Sequence, residues 1–289
     1  MSDIEIIFCG LSKNNIKPLK ENISFLIGLN NFIEGNKLRI LIVDSDSTDG
    51  TKEYLEELSK NLKFLDVLHK DNMELIPSRI ERIKICRNIC LDYINSNIMS
   101  KKIIYIPCDM DISLFSETTH EKLNNLIKYV IQNKNNTGIF PVSIPFYYDI
   151  FALRAKGWLN INSQLVVSKL KRVFKIGSFF WNYLFIFRYQ LSPIKIRKKN
   201  INITSAFGGI GIYDVTGLNL KTIRYDVNER NTEWFSEHLY FNSHFKNLEI
   251  LPDWIIKAPS EHILFKSLST KDKIIYFLKS IKYDLKNIF

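Results

Sequence analysis

The chain has 289 residues, 46% hydrophobic and 24% charged, with a formal net charge of +10. These proportions exclude an intrinsically disordered chain, and they suffice for one large α/β domain or one domain with a small appendage. The charge is local: from Ile150 to Tyr213 there is no Asp or Glu but eleven basic residues, leaving 29 basic against 30 acidic elsewhere. Such a stretch suits an anionic partner, whether ligand phosphates, lipid headgroups or nucleic acid. Cys9, Cys86, Cys90 and Cys108 sit in apolar segments, and the Cys86/Cys90 spacing is that of a helix face, so buried free thiols in a reducing cytoplasm are expected. Met1–Glu5 is polar and acidic, unlike a secretory leader, and no apolar run reaches the ~20 residues that span a bilayer.

In chain order, Ile4–Cys9 reads as a strand broken by Gly10-Leu-Ser-Lys-Asn-Asn. Residues 18–33 have helical periodicity. Leu38–Val43 is a buried strand ending at Asp44-Ser-Asp-Ser-Thr-Asp-Gly-Thr, and an amphipathic helix follows to about Leu62. Phe64–Leu68 is a third strand and Ile76–Ile94 a helix carrying Arg79, Arg82 and Arg87. Ile103–Ile106 is a fourth strand, stopped by Pro107 and followed by Cys108-Asp109-Met110-Asp111. Leu123–Gln132 is a helix and Gly138–Val142 a strand. This alternation predicts an α/β fold, a mostly parallel sheet with helices on both faces. Further on, Ser178–Phe187 is strongly apolar, Ala206–Tyr213 is a glycine-rich loop running into a strand, and Trp234–Phe245 and Lys271–Phe289 read as helices, the last basic and amphipathic.

Ligands of open α/β sheets bind at the carboxyl ends of the strands. Two acidic clusters fall there: Asp44/Asp46/Asp49 and Asp109/Asp111. In an extended segment, residues i and i+2 project to one side, so Asp109 and Asp111 could share a hard cation such as Mn²⁺ or Mg²⁺. Such a cation keeps positions open for phosphate oxygens and neutralises a diphosphate leaving group.

Val43-Asp44-Ser45-Asp46-Ser47-Thr48-Asp49-Gly50-Thr51 resembles the strand-end motif of family 2 glycosyltransferases, with Ser45 where many members carry a second Asp. The resemblance implies a GT-A fold, with Asp44, and Asp46 beside it, binding the donor, and with Asp49 and Thr51 capping the next helix. Four later stretches are similar to the fungal capsule-associated α-1,3-mannosyltransferase family, in that family's order: Ser78-Arg79-Ile80 to Arg87-Asn88, Phe146 to Gly157, Ser205 to Tyr213, and Ser236-Glu237-His238. Together they span about residues 40–245.

What the resemblance implies is a metal-dependent glycosyltransferase that moves a sugar from a UDP- or GDP-sugar to a glycan or lipid-linked glycan. Asp109 and Asp111 would hold the metal, with Asp109 also reaching the ribose or sugar; His262 or His238 would compete for a third position. Arg79 and Arg87 could clamp the diphosphate, or form a solvated helix face paired with Glu81 and Asp92. Gly208 and Gly209 would let backbone N–H groups approach the sugar or acceptor. Glu237 is the candidate catalytic carboxylate, as a base towards the acceptor hydroxyl or as a charge beside the sugar, and Asp149 could hold donor or acceptor hydroxyls.

The expected organisation is one GT-A catalytic domain over 1–262, with a nucleotide-sugar half (1–142), an acceptor-side half (143–262) containing a basic insertion at about 160–200, and a basic amphipathic helix over 263–289. Leu165–Leu191 alternates basic and large apolar residues, and either lies on an anionic membrane surface or packs its aromatics into the core. A cytoplasmic protein, with peripheral membrane attachment in the first case, is the expectation. Three other classes remain, the weakest a non-catalytic sugar-binding module. A sugar-nucleotide-forming nucleotidyltransferase would want a better phosphate loop than Gly10-Leu-Ser-Lys-Asn-Asn. A nucleic-acid-binding protein would leave the acidic strand ends unexplained, so nucleic acid is not expected as a partner.

Overall fold

The first two strands set the architecture. In β1 (Ile4–Ser12) and β2 (Lys37–Asp44), alternate side chains enter different cores: Ile6, Phe8, Ile40 and Ile42 on one side, Ile7, Cys9, Leu41 and Val43 on the other. Burial on both faces is why these strands read as unbroken apolar runs. The computed structural model describes residues 4–33, 35–133, 137–174, 177–196, 200–226 and 236–286. β1 pairs in parallel with β2 and with β4 (Lys102–Asp109), and β2 with β3 (Leu65–His69). A second parallel pair, β5 (Thr137–Ile144) and β8 (Asn247–Lys257), carries the antiparallel edge strand β6 (Ile201–Ile203). The three-residue β7 (Ile212–Asp214) joins the two blocks, antiparallel to both β4 and β5, giving the order β3-β2-β1-β4-β7-β5-β8-β6.

α1 (Ile16–Leu29) and α4 (His120–Gln132) cover one face through Leu19, Ile23, Leu26, Leu123 and Ile127, while α3 (Arg79–Asn97) covers the other through Cys86, Cys90, Leu91 and Ile94. The mostly parallel sheet with helices on both faces is therefore the one the alternation predicts. α2 (Thr51–Asn61) follows β2; Asp49 accepts from Thr51 N, its first residue, and from Ile16 N, the first residue of α1. All four cysteines are buried and free, and burial pushes the Cys86 thiol up to about 11.

Several elements differ from expectation. β4 does not stop at Pro107 but runs on to Asp109: Pro107 lacks only its own donor, and its carbonyl still accepts from Gly211 N. The helix expected over Trp234–Phe245 is the short α7 (His238–Asn242), with Trp234 outside the described residues. The basic insertion forms α5 (Ser163–Phe174) and α6 (Ser178–Phe185); its Lys175 and Arg197–Lys199 lie outside the described residues. The C-terminal region is two helices, α8 (Ser260–Ser267) and α9 (Thr270–Lys286), so the expected boundary at 262/263 falls inside α8. Asp284 of α9 is buried and accepts from Gly177 N, Ser178 N and Ser178 Oγ, which caps α6 and ties the two helices together. Among the described residues no helix is long and apolar enough to cross a membrane.

Candidate functional site

Strand order reverses at β1, because β2 and β3 lie to one side and β4 to the other. The crevice outside such a reversal is where open α/β sheets bind ligands. A cleft of about 430 Å³ opens there, bounded by Ser12 at the end of β1 and Lys13 after it, Ser45 after β2, and Asp109 and Asp111 at the end of β4. The first turns of α3 supply Arg79 and Arg87. The far wall is Tyr148, Asp149, Gln164, Phe207, Glu237, His238 and His262. Asp109, Asp111, Arg79, Arg87, Asp149, Glu237 and His262, far apart in sequence, thus face one space.

Arg87 is the hub. Its side chain is 2% exposed, with its guanidinium 4.6 Å from the Phe207 ring centre and 5.6 Å from that of Tyr225. Nη2 donates to Asp109 Oδ1 at 2.7 Å and Nε to Glu237 Oε1 at 3.1 Å, while Nη1 is buried without a hydrogen-bond partner. Burial alone would lower its pKa; Asp109 and Glu237 outweigh burial and push it well above its usual value. Arg79, by contrast, is exposed in the cleft. Neither arginine pairs with Glu81 or Asp92, which engage Lys84 and Arg224 instead.

Asp109 closes β4, and its N–H donates to the Gly209 carbonyl at 2.8 Å. Its carboxyl is pushed up to about 7: burial dominates, Arg87 opposes it, and Asp111, Glu237 and Asp149 add to it. A third of its side chain (34%) still faces the cleft. The strand ends at Asp109 and Asp111 lies in the following turn, so the two are not a same-side pair on one extended segment. That turn is anchored by buried Asn22 of α1, which donates to Ile112 O at 2.8 Å and accepts from Leu114 N at 3.1 Å.

Asp149 accepts from Gly208 N at 2.9 Å and Ala152 N at 3.3 Å. Burial raises its carboxyl against the pull of these two donors, and the Glu237 charge adds to the rise. Gly208 and Gly209 have φ of +75° and +86°, and a Cβ on Gly209 would sit 2.7 Å from Ile112 Cδ1. Their backbone polar groups brace Asp149 and Asp109. His238 stacks on Phe207 at 3.8 Å between ring centroids, and burial, then Arg87, lowers its pKa well below the usual value, so the imidazole is neutral. His262 is exposed on α8, stacked on Tyr148 at 5.5 Å.

Asp44 and Asp46 do not line the cleft. Asp44 is 1% exposed, accepts from Ser47 Oγ at 2.5 Å and faces His69 Nδ1 at 3.6 Å. Asp46 has φ +55° and accepts from Asn72 N and Glu74 N at 2.8 and 3.0 Å. Its slight burial is outweighed by these donors, which hold the carboxyl below its usual range. The residue of this motif that reaches the cleft is Ser45.

No family model and no curated protein matches the sequence. Among solved structures, the chain is similar to residues 1–349 of TarS from S. aureus, with 13% identity and a TM-score of 0.48, covering 91% of this chain and 62% of that one. It is similar to the galactosyltransferase LgtC, solved with donor and acceptor sugar analogues, at 12% identity and a TM-score of 0.42, covering 89% and 73% of the two chains. It is also similar to the mannosyltransferase PcManGT from Pyrobaculum calidifontis, solved with GDP-Man and Mn²⁺, at 18% identity and a TM-score of 0.36, covering 48% and 36%.

Lys13, Gln164, Phe207 and Tyr225 escape sequence reasoning. Lys13 had a usable signal, its place directly after β1. Phe207 lies in the Ser205–Tyr213 stretch without being singled out there, and Tyr225 had no signal, because an aromatic that sandwiches a buried cation looks like any other core aromatic in sequence.

Proposed function

We propose that this protein transfers a sugar from a nucleotide-diphosphate donor, a UDP- or GDP-sugar, to a hydroxyl of a glycan or glycolipid acceptor, assisted by Mn²⁺ or Mg²⁺. The observation that carries this is the crowding of Asp109, Asp111, Asp149 and Glu237 into one cleft at the reversal of strand order, with the Asp109 carboxyl driven up to about 7. Lys13, Arg79 and Arg82 line the same cleft and can draw in a diphosphate, but phosphate oxygens brought up to Asp109 and Asp111 would be repelled there unless a cation lay between them.

The residues suit a hard divalent ion. Among the described residues no three His, Cys, Asp or Glu side chains form a ready cage. Mg²⁺-type sites, however, use one or two carboxylates and complete their coordination with substrate phosphates and water. Asp109 and Asp111 are the two carboxylates, and His262 lines the same cleft. The ion's chemistry there is neutralisation of the departing diphosphate.

The protein's own groups divide the rest. Arg79 and Lys13, both in the cleft, attract the donor phosphates. Arg87, its charge shared by two carboxylates, orients Asp109 and Glu237. Glu237 keeps negative charge beside the sugar as positive charge builds on it. Asp149, whose carboxyl is raised, takes the proton of the acceptor hydroxyl as its oxygen bonds to the sugar carbon and the bond to the diphosphate breaks. Asp44 and Asp46 shape the β2 loop, leaving Ser45 to face the nucleoside.

Thermal melting with UDP or GDP, with and without Mn²⁺, tests the reading. One nucleotide should stabilise the protein only with the metal, by about 2.7 kcal/mol at a hundred times its Kd. Asp111→Ala should abolish that stabilisation and hydrolysis of the matching nucleotide-sugar. Unchanged metal-dependent stabilisation in Asp111→Ala would overturn the assignment.

A further inference from the structure

The helical layer that supplies Gln164 and His262 to the cleft has a second, outward face. Within α9, Phe277, Ser280 and Asp284 point to α6: Phe277 packs on Phe179 at 5.0 Å, Ser280 Oγ lies 3.0 Å from Ser178 Oγ, and Asp284 caps Ser178. At roughly 100° per residue, Ile274, Leu278 and Leu285 fall within about 40° of one another, roughly 110° round the helix from that inner set. All three are exposed, Leu278 by 57%. Lys271 and Lys282 share that side and Lys279 borders it, all three exposed.

The neighbouring helices repeat the pattern. Phe179 and Phe187 turn inward onto Phe265, while Val173, Phe174 and Phe180 are 72%, 56% and 58% exposed. Lys169 and Arg172 stand beside them on α5, also exposed. α5 and α6 contain no acidic residue, and α9 contains only Asp272, hydrogen-bonded to Ser269 at the helix start, and buried Asp284.

We propose that this outer face of α5, α6 and α9 docks on an anionic phospholipid surface. Large apolar side chains interleaved with cations match the acyl boundary and the headgroups together. A second copy of the same face would set lysines against lysines. A nucleic acid would neutralise the lysines but leave Ile274, Leu278 and Leu285 in water. The aromatics of Leu165–Leu191, expected either on a membrane surface or in the core, divide between a packed inner set and an exposed outer one. If the cleft performs the proposed transfer, the same helices present it to a lipid-anchored acceptor.

The test is flotation of the full chain, without nucleotide or metal, on vesicles of phosphatidylglycerol and phosphatidylcholine against phosphatidylcholine alone. The expected result is co-flotation with the anionic vesicles at low salt, weakened at high salt. Phe174→Glu combined with Leu278→Glu should cut vesicle binding about tenfold or more, with melting and the nucleotide–Mn²⁺ response unchanged. No flotation at low salt, or equal flotation of the double variant, overturns the proposal. So does dimerisation through this face, or oligonucleotide binding, without vesicle binding. Because flotation needs neither donor nor cation, its failure is distinct from failure of the transferase reading.

Discussion

Arg87→Met keeps a side chain of comparable length between Phe207 and Tyr225 while removing the charge that Asp109 and Glu237 share. Glu237 is left 10% exposed with a lone negative charge, and Asp109 faces it across the same site. Breaking a buried pair by removing one partner costs roughly 3–5 kcal/mol, because the remaining charge loses its compensation. For a chain of this size that corresponds to a fall in Tm on the order of 10 °C. The test of mechanism is the rescue. Adding Glu237→Gln to Arg87→Met removes the stranded charge and should return about 1–3 kcal/mol, read as a coupling energy from urea unfolding of the single and double variants. If the two substitutions add without coupling, or if Arg87→Met melts within about 3 °C of wild type, then Arg87 is not the counter-charge that holds the two carboxylates in place.

His238→Phe keeps the stack on Phe207 and removes a buried group whose pKa is depressed. Because the unfolded chain binds that proton below about pH 6.5 and the folded chain does not, wild type should lose stability as pH falls from 7 to 5, and the variant should show a shallower acid limb in melting curves. Asn22→Ala strands Ile112 O and Leu114 N, should cost about 1–3 kcal/mol, and should speed hydrogen exchange at Leu114, loosening the turn that carries Asp111. Asp284→Ala uncaps α6 and should cost about 1–2 kcal/mol, with proteolysis of α9 rising before global unfolding.

The sequence alone makes legible whatever local periodicity controls. β1, β2 and β4 are apolar runs that end in polar turns, and Asp109 and Asp111 follow from that alone. Asp49 was legible as a helix cap because capping is a short-range hydrogen bond, although its second bond, to Ile16 N, was not. Arg87 shows the limit. Its partners Asp109, Phe207, Tyr225 and Glu237 lie up to 150 residues away, and nothing in α3 distinguishes a guanidinium that binds a ligand from one that binds two of its own carboxylates. Asp46 misled for the opposite reason. It belongs to a recognisable strand-end pattern, yet a left-handed backbone at that residue turns its carboxylate onto the Asn72–Glu74 turn and away from the cleft.

β7 is three residues long, yet it is the seam between the two parallel blocks of the sheet. β4 and β5 follow one another in the chain but cannot pair, since the place between them is kept for a segment that leaves the ribosome some seventy residues after β5. Until it arrives, two strand edges stand open, each a template for another chain. Closing the seam spans long loops and belongs to the slow class of folding events. Gly209, just before the seam, then hydrogen-bonds Asp109. The cleft is therefore complete only once the seam is closed, because the Gly209 carbonyl that holds the Asp109 N–H is delivered by the segment leading into β7.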